Sequence, residues 1–119
     1  MALILITLDS DRQPYYVDQF GTPARPGDTV QWKSVKGRFS ITIRDAFMFF
    51  SARTNPLTQP AFSNVEKIIV DNTVNSGLSN TYTIINNLST GTEKVYEVYC
   101  YSREDQGDAP PRIIITPAT

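Results

Sequence analysis

The one cysteine of this 119-residue chain, Cys100, is its clearest candidate for chemistry. It lies near the end of an alternating run at 95–101 (VYEVYCY), and a polar loop follows it. A nucleophilic cysteine normally needs a base beside it, and the chain has no histidine to act as a base or a metal ligand. Because Cys100 shares a strand face with Tyr96 and Val98, the pattern favours a small buried hydrophobe over a reactive thiol.

The elements that carry this cysteine are predicted to be strands. Runs of β-branched and aromatic residues are separated by Pro, Gly, Asn, Asp and Ser, which is typical of an all-β sandwich or barrel. The length fits one domain, 1–119, with a core that needs no disulfide. About seven to eight strands are expected, at 3–8, 14–18, 29–33, 39–44, 66–71, 81–85, 95–101 and 113–115.

A long connection at 45–65 (DAFMFFSARTNPLTQPAFSNV) interrupts this pattern. Its first part could form a short helix or extend a strand, and its periodicity does not decide between them. Its apolar groups either cover the sandwich as a satellite cluster or form an exposed interface for a protein partner or a second copy of the chain. The candidate interface residues are Phe47, Phe49, Phe50 and Phe62.

Two stretches together resemble the cupredoxins, the small blue-copper β-sandwich family. The stretch 27–34 (GDTVQWKS) is similar to the family's turn into an inner strand. The stretch 96–100 (YEVYC), its loop and the closing strand at 112–115 are similar to the family's penultimate strand, metal loop and last strand. The resemblance implies a Greek-key sandwich in which 45–65 is the family's long variable connection.

The resemblance does not extend to the copper ligands. A type 1 copper site uses two imidazoles, one thiolate and a weak axial ligand, usually Met. Only Cys100 matches; Phe39 lies near the place of the first His and Arg103 near that of the second. Arginine stays protonated and cannot donate a lone pair to a metal. We therefore expect a scaffold without copper or any other cofactor, in which Phe39 helps to fill the space of the metal.

The resemblance also implies that the loops at 34–38 and 102–110 meet at one end of the sandwich. There they would form either a charged recognition patch or a set of weak surface ion pairs. The candidate residues of this loop end are Lys36, Arg38, Arg103, Glu104 and Asp105.

Two tyrosines on the face opposite Cys100 are a further candidate for binding. Tyr99 and Tyr101 would form an aromatic platform for a sugar, a peptide or a partner protein if that face is exposed. The alternative is ordinary cross-strand pairing of side chains within a sheet.

The net charge and the amino-terminal residues limit the classes of function that this chain could have. The net charge of −1 provides no overall field that would attract nucleic acid or an anionic membrane. The first residues (MALILITLDSD) lack a basic region, and Asp9 ends their apolar run, so they predict a first strand. They are expected either in a cytoplasmic protein or in one whose leader has been removed. The sequence favours a non-enzymatic binding or assembly module, and the alternative is a small thiol-dependent redox protein or enzyme that uses Cys100.

Overall fold

The regular secondary structure of the described residues is almost all β, as the sequence predicts. The computed structural model describes residues 2–13, 15, 21–54, 62, 64–107 and 110–117. Two short 3₁₀ turns, Ala46–Met48 and Asn75–Gly77, are the helical elements of this part of the chain, and no helix in it is long and apolar enough to cross a membrane. The strands are β1 (Leu3–Asp9), β2 (Thr22–Ala24), β3 (Thr29–Lys36), β4 (Arg38–Arg44), β5 (Phe50–Arg53), β6 (Val65–Asp71), β7 (Tyr82–Ile84), β8 (Glu93–Val95), β9 (Glu97–Cys100) and β10 (Arg112–Ile115).

The strands form two layers of a sandwich. One layer is a four-stranded sheet in the order β1-β3-β7-β5, in which β1 and β3 are parallel. The other layer consists of two short sheets, β2-β10-β8 and β6-β4-β9. Tyr96 alone separates β8 from β9, and its backbone N–H still donates to Pro111 O at 3.1 Å. The two short sheets therefore follow one another along a single extended run.

The core lies between the layers, on the strand faces that alternation predicts. Val30 and Trp32 of β3 are fully buried, and so are Phe39, Ile41 and Ile43 of β4. The Trp32 ring meets Tyr82 edge-on in its own layer and Tyr96 in the other, at centroid distances of 5.8 and 5.5 Å. Burying each large apolar side chain contributes roughly 1.5–3 kcal/mol, so this aromatic contact helps to hold the two layers together.

The strand count exceeds the seven to eight expected, since the structure has ten strands within its described residues. The strand β2 was missed because Thr22-Pro23-Ala24 has no alternation, but it lies at the edge of its sheet, where proline is tolerated. The strand β5 was missed because its register shifts between Phe50 and Ala52. The strand expected at 14–18 lies outside the described residues, apart from Tyr15.

The first part of the long connection contains both a 3₁₀ turn and a strand. The turn Ala46–Met48 leads into β5, and Phe49 lies between them. Phe49 and Phe50 are buried, with ring centroids 5.1 Å apart, and Phe50 also packs on Tyr82. The structure thus corrects the candidate interface at these two positions, because their side chains belong to the core. Phe47 is 49% exposed, and Met48 is exposed beside it.

Candidate functional site

The surroundings of Cys100 are closely packed. Cys100 on β9 pairs with Phe39 on β4 and is fully buried. The ring of Tyr15 packs edge-on against Phe39, with a centroid distance of 5.8 Å. The Cys100 sulfur lies 3.4 Å from Ser102 Oγ, and the Cys100 N–H donates to Asp105 O at 2.8 Å. Phe39 and Tyr15 thus form an aromatic cap next to the cysteine.

Tyr15 is a component of this end of the sandwich that the sequence did not reveal. Its hydroxyl donates to the Asp105 carboxylate, ninety positions further along the chain. Burial, and then the hydrogen bond to Asp105, raise the pKa of Tyr15 to about 12. Tyr15 is therefore a neutral hydrogen-bond donor near pH 7. Its hydrogen bond to Asp105 links the region after β1 to the loop that follows β9.

The donor atoms at this position do not fit a type 1 copper ion. Phe39 offers no donor, and the Arg103 guanidinium donates through Nε to Ser10 O at 3.1 Å. Within the described ranges, no group of three or more His, Cys, Asp or Glu side chains could hold a metal ion. Of the positions that match the copper ligands of the cupredoxins, only Cys100 therefore carries a side chain that can bind the metal.

We expect the Cys100 thiol to be inert in the folded protein. Since its side chain is fully buried, labelling by iodoacetamide requires an opening of the structure. The reaction should be at least about a thousandfold slower than in guanidinium-unfolded protein. The matched control is Ser102→Cys in a Cys100→Ala background, which places a thiol at an exposed position two residues away. Labelling of native Cys100 as fast as that of the control would support the thiol-dependent alternative instead.

The described residues of the two loops predicted to meet lie close together, since Lys36 and Arg103 both bond to Ser10, but their charged side chains have separate partners. The backbone N–H of Tyr101, after β9, donates to Arg38 O at 3.0 Å. Lys36 forms an ion pair with Asp11 at 2.6 Å, and the carboxylate raises the pKa of the lysine. Arg103 is bonded to Ser10, so these two cations are directed to the chain after β1.

The two acidic residues of the loop end, Glu104 and Asp105, also differ in their interactions. Asp105 accepts from Tyr15, while Glu104 is exposed with a left-handed backbone, at φ 55°. Within the described part of the chain, neither carboxylate forms an ion pair with Lys36, Arg38 or Arg103. The structure therefore brings these residues to one end without joining them into a single charged cluster.

Arg38 belongs to a different surface, which we call the Arg38 face. It is the outer face of the sheet β6-β4-β9, where Ser40 lies between Ile69 of β6 and Tyr99 of β9. One step along, Arg38 pairs with Asp71 of β6, and its guanidinium carbon lies 5.2 Å from the ring centroid of Tyr101. The Tyr101 ring meets Tyr99 at 86° with a centroid distance of 5.2 Å.

A pocket of about 210 Å³ opens on the Arg38 face. Its apolar wall includes Ile69 and Val74, both of which are about half exposed. Arg38 contributes the only cationic side chain of its lining. The lining residues are Arg38, Ile69, Asp71, Val74, Asn75 and Leu78.

The chain after β6 forms a well-defined wall of this pocket. Asp71 Oδ1 accepts from the N–H and the hydroxyl of Thr73, at 2.9 and 2.8 Å, and these bonds lower the pKa of the carboxyl. Gly77 has φ 79°, and a Cβ there would lie 2.3 Å from Ser34 O. Only glycine allows this close approach, which sets the turn against β3 and places Leu78 in the wall.

The Arg38 guanidinium lies on the Tyr101 ring, and its charge contributes to lowering the pKa of Asp71. In the part of the chain that the structure describes, its side chain makes neither a hydrogen bond nor an ion pair. Within the described residues its N–H groups have no hydrogen-bond acceptor, although a guanidinium offers five donors in a planar fork. A guanidinium that is held in place beside an apolar pocket can bind a carboxylate of a ligand while an adjacent apolar group of that ligand enters the pocket.

Some residues of the pocket could have been found from the sequence. In 68–70 (IIV), three apolar residues follow one another on one strand, so alternation requires Ile69 to face away from Ile68 and Val70. Ile69 is indeed exposed between two buried neighbours. Val74 and Leu78 carry no such signal, because the turn after β6 has no period.

Comparisons of this chain with protein-family models, with curated proteins and with solved structures find no match. The cupredoxin resemblance thus stays a prediction.

Proposed function

We propose that this protein is a non-enzymatic binding module on a cupredoxin-like sandwich that does not use copper, and that the Arg38 face holds a partner protein. The observation that carries the proposal is the Arg38 guanidinium, which forms no ion pair within the described residues and lies on a tyrosine ring at the edge of an apolar pocket. Arginine and tyrosine are enriched among residues that dominate the energy of protein interfaces.

The distribution of the reactive groups supports binding rather than catalysis. The thiol of Cys100 is buried, and Tyr15 and Asp105 bond to each other next to it. The pocket contains one carboxylate, Asp71, which is held by Thr73 rather than directed at a second acid or base. General acid–base catalysis needs such a group within reach of the proton that it transfers.

The proposal moves the partner-binding surface away from the 45–65 connection. Phe49 and Phe50 are part of the core, and Phe62 is half-buried against Tyr82. Phe47, Met48 and Val65 are the exposed large apolar residues of the described part of the connection.

Selection from a displayed library of random nonapeptides tests the proposed function. Peptides retained on the protein should shift the amide resonances of Arg38, Ile69 and Tyr101 in a ¹H–¹⁵N spectrum. They should be lost from the Arg38→Gln/Ile69→Ser variant, whose changes lie on the surface.

The matched control is Lys33→Gln, which removes a positive charge from the outer face of the other layer. It should retain the selected peptides. Retention by the double variant, shifts confined to other surfaces, or a failure to enrich any peptide would each overturn the proposed function.

A further inference from the structure

We infer that the Arg38 face recognises an extended acidic peptide, which seats one aliphatic side chain in the pocket and places a carboxylate on each side of it. This inference rests on the proposed function and specifies the chemistry of the partner. Three properties of the face carry it: its charges, their spacing along the strands, and the covering of the Tyr101 ring.

The charges of the face favour an acidic ligand. Its three cations are Arg38, Lys67 and Arg44, and only Arg44 has an ionic partner within the described residues, Glu97 at 3.5 Å. The carboxylates of the face are Glu97 and Asp71. Asp71 accepts two hydrogen bonds from Thr73 and lies beyond ion-pair distance of Arg38, although these bonds and the Arg38 charge lower its pKa. Three cations against two carboxylates leave the face positive, although the whole chain carries a net charge of −1.

The spacing of the cations matches the repeat of an extended chain. On β6, Lys67 and Ile69 project from the same face, while Ile68 between them is buried. Residues two apart on a strand are separated by roughly 7 Å, and Arg38 lies opposite Asp71, one further repeat along. A peptide with an acid, an aliphatic residue and an acid at alternate positions would place the first two groups over Lys67 and Ile69. The third would lie beside Arg38, which is across from Asp71 on the neighbouring strand β4.

A peptide fits this surface better than a sugar does. Sugar rings commonly stack on an exposed aromatic face, but one face of Tyr101 is covered by Arg38 and the ring also meets Tyr99 edge-on. The walls beside it, Ile69, Val74 and Leu78, are aliphatic and offer no side-chain hydrogen bonds. The arrangement provides an apolar seat and a guanidinium fork, which suits an aliphatic side chain next to a carboxylate.

Fluorescence anisotropy with a fluorescein-labelled peptide, GSETLTEGS, tests the inference directly. We expect saturable binding that weakens as NaCl is raised, because exposed charges are screened by salt. Arg38→Gln and Lys67→Gln should each weaken binding by about three- to tenfold, and Ile69→Ser by about tenfold. Lys33→Gln should leave binding unchanged.

Three further peptides separate charge, apolar contact and spacing. GSQTLTQGS lacks the carboxylates, GSETSTEGS lacks the aliphatic group, and GSEELTTGS has the same composition as the first peptide with a different spacing. All three should bind more weakly than GSETLTEGS by about tenfold or more. Equal binding of the respaced peptide, or undiminished binding by the Arg38→Gln/Lys67→Gln variant, would overturn the inference.

Two outcomes separate this inference from the proposed function. Enrichment of peptides without acidic residues on the Arg38 face would refute the acidic ligand and leave the binding module intact. Binding of an oligoglucuronate to the face, with no binding of GSETLTEGS, would refute the peptide and identify an anionic sugar as the ligand class. If neither probe binds and no peptide is enriched, both proposals fail together.

Discussion

Replacing Phe50 with alanine is expected to lower the free energy of unfolding by about 3–5 kcal/mol. Phe50 is 1% exposed, and its ring packs edge-on against Phe49 and Tyr82 at centroid distances of 5.1 and 5.6 Å. Removing the ring would leave a cavity where the long connection joins the core, which adds to the loss of apolar burial. Urea unfolding followed by tryptophan fluorescence measures the change, since Trp32 also contacts Tyr82.

The matched control is Phe47→Ala, three residues earlier in the same segment. Phe47 is 49% exposed, so its removal should change the free energy of unfolding by about 0.5 kcal/mol or less. Light scattering of this variant also tests the predicted self-association through 45–65, because Phe47 is one of the apolar groups left on the surface. A cost at Phe47 as large as that at Phe50 would contradict the burial described above.

The sequence alone does not predict that Phe50 is buried while Phe47 is exposed, because this difference depends on the local backbone. Three large apolar residues in succession, Met48, Phe49 and Phe50, cannot all face inward on a strand. The chain meets this limit by ending a 3₁₀ turn at Met48 and beginning β5 at Phe50. Phe49 and Phe50 can then both reach the core, while Met48 stays exposed.

Where the backbone is a regular strand, the alternation of apolar and polar residues is sufficient to predict which side chains are buried. The burial of Phe39, Ile41 and Ile43 follows from strict alternation within one strand, and so does that of Val98 and Cys100. The period of a strand is two residues whatever its neighbours are, so these core positions require no knowledge of the sheet.

The candidate site was less predictable because it depends on register. Ile69, Ser40 and Tyr99 become neighbours only when β6, β4 and β9 pair in one particular alignment. Arg38 was selected from the sequence as part of a charged loop end, but its alternation with Phe39 directs it to the outer face beside Tyr101. The contact of Tyr15 with Asp105 spans ninety positions and has no local signal at all.

Replacing Arg53 with methionine is expected to lower the free energy of unfolding by about 3–5 kcal/mol. Arg53 of β5 forms an ion pair with Glu66 of β6 at 3.1 Å, and the two side chains are only 8% and 12% exposed. Methionine keeps an apolar chain where the Arg53 stem lies, against the Phe62 ring, but leaves the Glu66 carboxylate buried without this cation. Chemical unfolding of Arg53→Met, Glu66→Gln and the double variant measures the coupling between the two side chains.

The exposed pair Lys36–Asp11 provides the control, because it separates the effect of burial from that of distance. Its nitrogen and oxygen are closer, at 2.6 Å, but its side chains are 61% and 58% exposed. Water and salt screen such a pair, so Lys36→Met should change stability little, and the change should be smaller still at high salt. The double variant of the buried pair should recover much of the loss seen in Arg53→Met, since it no longer buries an unpaired carboxylate. Equal costs for Arg53→Met and Lys36→Met would mean that burial does not make the Arg53–Glu66 pair, which joins β5 to β6, more important for stability than an exposed pair.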